Sequence, residues 1–305
     1  MSSGPRVVTR RAHAKINVFL RVLDRRVDGF HDIESVVVPI SLHDVVTVAT
    51  GGGRPSTVDM DVHGVWVSEP VGERENIVSA ATERFLSAAF PDPDGRPAPR
   101  ITVGKWIPVA AGLGGGSADA AATLHALNEL FGCGWPADAL AELGAEIGSD
   151  VPGMLAGDPV LITGRGERLV PVHAATTWWV VKPFRFPVAA ADAYGWWDDA
   201  PATGPDPGVL IAALETGDVG LLGDALFNDL QPAVVTRHPE VGETIAAFME
   251  AGALGAAMSG SGPTVAALAR HLGHADSVAA AVPGSMVVSG PPVGFGTGGA
   301  EPDEG

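Results

Sequence analysis

The chain has 305 residues, enough for two lobes or one large domain with a bulky core, and 46% of them are hydrophobic. A formal net charge of −17, with no basic stripe to offset it, argues against nucleic acid and anionic membranes as partners. No apolar run has membrane-spanning length, residues 1–11 lack an apolar leader core, and the single Cys133 has no disulfide or zinc partner, so a protein of the reducing cytoplasm is expected.

In chain order, residues 6–23 alternate and then run apolar, like paired strands. Further strands are predicted at 33–40 and 45–49, with turns at Asp28-Gly29 and Gly51-Gly52-Gly53. Helical spacing covers 75–90, and a short strand at 100–107 feeds a glycine-rich turn. Helices follow near 117–130 and 136–147, then strands at 160–163 and 169–172. The second half opens on a buried-strand run, Trp178-Trp179-Val180-Val181, and continues with several helices, one of them at 239–251. Strands at 254–258 and 264–268 flank the turn Ser259-Gly260-Ser261-Gly262-Pro263, and a helix near 274–282 and a strand at 285–289 finish it. That second half has the order of a ferredoxin-like split motif. The expectation is an α+β protein of two lobes, 1–172 and 173–292, with a cleft between them and a disordered acidic tail at 293–305.

The run Pro108-Val109-Ala110-Ala111-Gly112-Leu113-Gly114-Gly115-Gly116-Ser117-Ala118 carries the chemistry. A glycine turn leads straight into an alanine-rich helix, so unpaired amides and the positive helix end converge where an anion fits. The run lacks the lysine of a Walker A loop and the spacing of a dinucleotide fingerprint, and the protein-kinase signatures are missing elsewhere. An ordinary glycine turn before a core helix is the plainer alternative. Because the overall charge would repel a nucleotide, binding must rely on loop amides, a few lysines and a metal ion.

Three stretches in order resemble one family, the GHMP kinases: the glycine run, Met258-Ser259-Gly260-Ser261-Gly262-Pro263-Thr264, and Ala14-Lys15-Ile16-Asn17-Val18-Phe19-Leu20. Other stretches resemble the branch of that family that acts on 4-diphosphocytidyl-2-C-methyl-D-erythritol in the non-mevalonate route to isoprenoids. They are Asp28-Gly29-Phe30-His31-Asp32-Ile33-Glu34-Ser35, Gly148-Ser149-Asp150-Val151-Pro152, Gly164-Arg165-Gly166-Glu167 and Asn228-Asp229-Leu230. The resemblance implies the two-lobed GHMP fold, an ATP-binding first lobe, a ferredoxin-like second lobe, and ATP with Mg²⁺ as co-substrate. It also implies transfer to the 2-hydroxyl of that small molecule, by a monomer or weak homodimer with no nucleic-acid or membrane partner.

The same resemblance assigns residues. Residues Pro108 and Ala110 to Ala118 would hold the triphosphate, and Asn76 and Lys105 would contact adenosine. Read alone, Ser117 and Asn76 are helix caps and Lys105 is an exposed strand lysine. Asp150, which also reads as a helix cap, would be the catalytic base, and Lys15, otherwise a solvent-facing strand residue, would stand beside it. Asn17 would be a polar partner in that site. Phe30 and His31 would stack on cytosine and read its edge, with Tyr194 either the opposite face or a half-buried helix residue. Phe30 stands where the family usually carries tyrosine, and Val188-Ala189-Ala190-Ala191 where it commonly has a Ser/Thr-containing segment, so a cap or contact is absent there. Ser259, Gly260, Ser261 and Gly262 would bind the substrate's diphosphate or brace the ATP loop. The metal ligands are unassigned, and the histidines other than His31 are expected to be structural or surface groups.

Overall fold

The computed structural model describes residues 6–51, 57–62 and 76–292. The expected tail at 293–305 lies outside them. The first lobe is organised by one hairpin of two long strands, β1 (Val7–Arg25) and β2 (His31–Ala49), paired antiparallel. The reading of residues 6–23 as paired strands, and of 33–40 and 45–49 as two separate strands, is corrected by this. The interior of β1, Ala12–Leu20, is buried throughout, so it carries no single alternation from which one strand could be read.

Strand β2 is shared. Its first half pairs with β5 (Val160–Gly164), which pairs with β6 (Arg168–Pro171), and its second half pairs with β4 (Arg100–Lys105). β3 (Thr57–Val62) runs parallel to β4. Helices α1 (Ile77–Ala89), α2 (Gly115–Phe131), α3 (Ala137–Ile147) and α4 (Val151–Ala156) complete the first half. They form a core with Val46, Val48, Ile101 and Val103 of the sheet through Phe85, Leu124, Leu127 and Leu130. α2 is buried on most sides, which is why it is rich in alanine: short side chains let the sheet and neighbouring helices approach it closely.

The second lobe holds β7 (Thr177–Lys182), β9 (Gly255–Met258), β10 (Val265–Ala269) and β11 (Met286–Gly290) in the antiparallel order β11-β7-β10-β9, a ferredoxin-like arrangement. Between β7 and β9 lie α5 (Ala190–Asp198), α6 (Gly208–Thr216), α7 (Val219–Asp224), α8 (Gln231–Arg237) and α9 (Pro239–Glu250), and α10 (Leu272–Ala281) precedes β11. A two-residue strand, β8 (Phe227–Asn228), leaves this lobe and pairs parallel with Phe19 and Leu20 of β1.

The lobes share a core. Ala14, Ile16 and Val18 of β1 and Val36, Val38 and Ile40 of β2 pack with Trp179, Val181, Leu268 and Val288 of the second sheet. Each such fully buried aliphatic or aromatic side chain contributes roughly 1.5–3 kcal/mol. Strand periodicity then turns Lys15 and Asn17 to the opposite face, toward the cleft.

Candidate active site

The glycine run folds as the sequence anticipates, with two refinements. Gly112 (φ +78°) and Gly114 (φ +69°) occupy left-handed backbone, and Ala110 shares it at φ 56°. Gly114, not Ser117, is the cap residue of α2, and the helix begins at Gly115 without a capping side chain. The cap reading of Ser117 is therefore overturned: its hydroxyl lies within the first turn, free for a ligand. Residues 108–117 with Asn76, Ile77, Lys105 and Asp119 line a cleft of about 300 Å³. Ala118 is buried beneath that wall. Asn76 does cap α1, accepting from the Val78 amide at 2.9 Å, and lines the cleft as well.

Below the loop lies Lys15. A register break between His13 and Lys15 lets the Lys15 amide bond the Leu113 carbonyl (3.0 Å) and so dock the glycine loop on β1. Lys15 is 7% exposed, which overturns its solvent-facing alternative. Its ammonium donates to Asn17 Oδ1 and stands 3.8 Å from Asp150 Oδ2. Burial pulls the ammonium below the ordinary lysine range and the Asp150 charge opposes that pull. A Cβ on Gly114 would run into Met154 and lie 3.0 Å from Lys15 Cγ, so glycine is required where the lysine passes.

Asn17 is fixed on every side. Its Nδ2 donates to Ser35 Oγ (2.8 Å), and its amide donates to Ser259 Oγ (3.0 Å). The carboxamide oxygen is thereby left facing Lys15. Asp150 sits at the cap position of α4, yet its side chain makes no capping hydrogen bond and is 48% exposed. The cap alternative fails for it as well. The carboxylate is free to act in the cleft.

The second glycine turn lies against the first. A Cβ on Gly112 would stand 2.6 Å from the Gly262 carbonyl oxygen and 3.1 Å from that of Ser259. Ser259 is fully buried, and Asn228 Nδ2 donates to the carbonyls of Met258 (2.6 Å) and Gly260 (2.8 Å). Of the two roles expected for this turn, bracing of the first glycine loop has this direct geometric support.

In the turn between β1 and β2, Phe30 is 56% exposed with the Arg165 guanidinium 5.5 Å above its ring. His31 turns inward, and Tyr194 stacks on its imidazole at 5.0 Å and 18°. Burial, aided by the Asp150 charge, pushes the Tyr194 hydroxyl above the usual phenol range. Val188 is buried, Ala189–Ala191 are exposed, and Ala189 caps α5 with no side-chain hydrogen bond.

Lys105 is buried rather than exposed, paired with Asp44 and, at 2.6 Å, with Asp119. Burial, opposed by the Lys105 charge and aided by Asp44, pushes the Asp119 carboxyl up to about 8. Asp44 also accepts from the Trp106 and Ile107 amides, fixing the strand end that feeds the loop. Sequence reasoning missed Asp44, Asp119, Ser35 and Asn228. The available signals were a polar side chain set in an apolar strand or helix and, for Ser35, Asp119 and Asn228, a place in or next to a family-like motif without an assigned task.

A first-turn loop of glycines on a buried helix, a lysine–carboxylate pair beneath it and a ferredoxin-like second lobe define a small-molecule kinase of the GHMP type. The model of the GHMP kinases N terminal domain matches residues 76–160, and that of the GHMP kinases C terminal domain matches 210–288. The chain is 40% identical over 295 residues to 4-diphosphocytidyl-2-C-methyl-D-erythritol kinase of Nocardia farcinica, covering 94% of this chain and 93% of the relative. It is 42% identical to the enzyme of the same name from Pelotomaculum thermopropionicum, covering 90% and 93%. A crystal structure of 4-(cytidine 5'-diphospho)-2C-methyl-D-erythritol kinase superposes with a TM-score of 0.77 at 31% identity, covering 93% of this chain and 98% of that one. A homoserine kinase from Cytophaga hutchinsonii superposes at 0.71 with 22% identity, covering 95% and 96%, a likeness of fold alone. The chain belongs to the 4-diphosphocytidyl-2-C-methyl-D-erythritol kinase family of the GHMP kinases. Among the described residues no helix is long and apolar enough to cross a membrane.

Proposed function

We propose that the protein transfers the γ-phosphoryl group of ATP to the 2-hydroxyl of 4-diphosphocytidyl-2-C-methyl-D-erythritol, as a cytoplasmic enzyme of the non-mevalonate route to isoprenoid precursors. The observation that carries the chemistry is the buried Lys15 ammonium 3.8 Å from the uncapped Asp150 carboxylate, beside the start of α2. The choice of acceptor is supported by relatives about 40% identical along nearly the whole chain.

In this reading the first-turn amides of α2 and the Ser117 hydroxyl receive the triphosphate, and Asn76 and Lys105 face the nucleoside end of the cleft. The substrate oxygen attacks the γ-phosphorus, the bond to the β-phosphate oxygen breaks, ADP leaves, and the hydroxyl proton passes to Asp150. Such general-base help is worth on the order of 10²–10⁴ in rate. The acceptor is a crowded tertiary alcohol and the transition state is loose, so placing the oxygen matters more than the basicity of Asp150. Lys15, held by Asn17, sets a positive charge beside that carboxylate and the reacting oxygens.

Ser117 Oγ, a hard oxygen donor in the first turn of α2, would suit Mg²⁺ arriving on the nucleotide phosphates. The ion would neutralise phosphate charge there. Phe30, His31 and Tyr194 would receive the cytosine, and the turn at 259–262, packed against Gly112 and close to Lys15, would meet the diphosphate.

The test is ADP release from Mg·ATP with the cytidyl substrate, homoserine, mevalonate or no acceptor. Turnover with the cytidyl compound alone is expected. Turnover with homoserine or mevalonate in its place would overturn the assignment.

A further inference from the structure

Helix α5 presents Tyr194, Trp197 and Asp198, spaced i, i+3 and i+4, on one face. All three meet one residue, His31 at the start of β2. Tyr194 lies flat on the imidazole, Trp197 meets it edge-on at 5.7 Å, and Asp198 Oδ1 is 2.8 Å from Nε2. Arg25 Nη1, from the last residue of β1, stands 3.4 Å from the other carboxylate oxygen. The hairpin therefore grips Asp198 from two sides, and Asp198 in turn fixes the plane of the imidazole. Among the described residues no group hydrogen-bonds His31 Nδ1.

An ionised carboxylate can only accept hydrogen bonds. Nε2 must then carry the proton, and in a neutral imidazole Nδ1 is left as an acceptor. We infer that Asp198 is a positioning residue for base recognition: by holding His31 as the Nε2–H tautomer, it presents a lone pair at Nδ1. That lone pair matches the amino group of cytosine and repels the carbonyl oxygen that uracil carries in the same place. Without the carboxylate the imidazole offers N–H and lone pair alike, and the discrimination is lost. The inference rests on the reading of the acceptor as a cytidyl compound.

Asp198→Leu and Asp198→Asn test it, alongside ¹⁵N NMR of the imidazole in the wild-type protein. The wild type should show a protonated Nε2 and an acceptor Nδ1, and Asp198→Leu a mixture of tautomers. In Asp198→Leu the KM for the cytidyl substrate should rise about tenfold, and its preference over the uridyl analogue should fall by a similar factor. KM for ATP and kcat should stay within about twofold, which a general loss of structure would not allow. Asparagine, whose carbonyl oxygen still accepts, should restore most of the loss. A protonated Nδ1 in the wild type, unchanged discrimination in Asp198→Leu, or equal losses for ATP and acceptor would overturn the inference. Should Asp198→Leu fail to fold, the wild-type spectrum decides. Should the wild type phosphorylate no cytidyl acceptor, the functional reading fails by itself, and the NMR still decides the tautomer.

Discussion

Gly112 approaches Gly262 so closely that a methyl group on its Cα would stand 2.6 Å from the Gly262 carbonyl oxygen. One glycine belongs to the loop proposed to receive the triphosphate and the other to the turn that buries Ser259, so the two motifs are one packed unit. Gly112→Ala should force them apart from a backbone already at φ +78°. The expected cost is about 1–3 kcal/mol of stability, with a larger fractional loss in kcat/KM for ATP, read by thermal unfolding and steady-state kinetics. Gly132→Ala is the comparison: it also has positive φ (+65°) but open space around it, so it should cost about 1 kcal/mol and leave kinetics alone.

Asp150→Asn separates chemistry from folding. The side chain caps nothing and is half-exposed, so the melting temperature should stay within a degree or so, while kcat falls by about 10²–10⁴. A protein that loses its fold instead would mean that the carboxylate is structural.

Lys15 gives the alkaline side of the pH profile. Its ammonium is disfavoured by burial, so it loses its proton at lower pH than an ordinary lysine, and activity should decline as pH rises through that lowered value. The stability contribution has the opposite sign. Between the lowered folded value and about 10.5 the unfolded chain binds more protons, so this group favours folding increasingly as pH rises through that window. Lys15→Arg should remove the alkaline limb of whatever activity remains, and Lys15→Met should abolish turnover while ATP binding, measured calorimetrically, persists.

Acid stability depends on His13. Burial lowers its pKa to about 4, against the pull of the Ile40 carbonyl and with help from His43 and Arg11. From about pH 6.5 down to about 4 the unfolded state takes up a proton that the fold refuses, so stability falls with pH across that window. Replacing His13 by glutamine should flatten the slope of unfolding free energy against pH there.

Lys105→Met would leave Asp44 and Asp119 facing each other in a buried site. The loss should be about 3–5 kcal/mol by chemical denaturation, and adding Asp119→Asn should recover part of it. The recovery is the diagnostic result, because simple loss of lysine packing would not be relieved by a second substitution.

What could be read beforehand followed physical period. The ferredoxin-like half was legible because β7, β10 and β11 are short and bounded by turn residues, and α2 because alanine runs after glycine admit few other structures. The long hairpin was split because a strand buried on both faces shows no alternation. The glycine turn was legible as an anion site from its place ahead of an alanine-rich helix, whereas Lys15, Asp150 and Asn17 were legible only through motif likeness. Their bare sequence context favoured solvent exposure for Lys15 and Lys105 and capping for Ser117 and Asp150, and packing overrode those local preferences in all four cases. Asp44, Asp119 and Ser35 were hidden because what matters is which residue they face across 14 to 61 positions of chain, or across two strands, and one-dimensional spacing does not carry that.

The chain has three lysines among its nineteen Lys and Arg residues, and two of them, Lys15 and Lys105, are buried. Amine-directed reagents therefore meet a surface on which Lys182 is the accessible lysine side chain. Cross-linkers, acetylating agents and fluorescent esters will label this protein sparsely, and slow modification of Lys15 or Lys105 becomes a clock for the opening of the cleft.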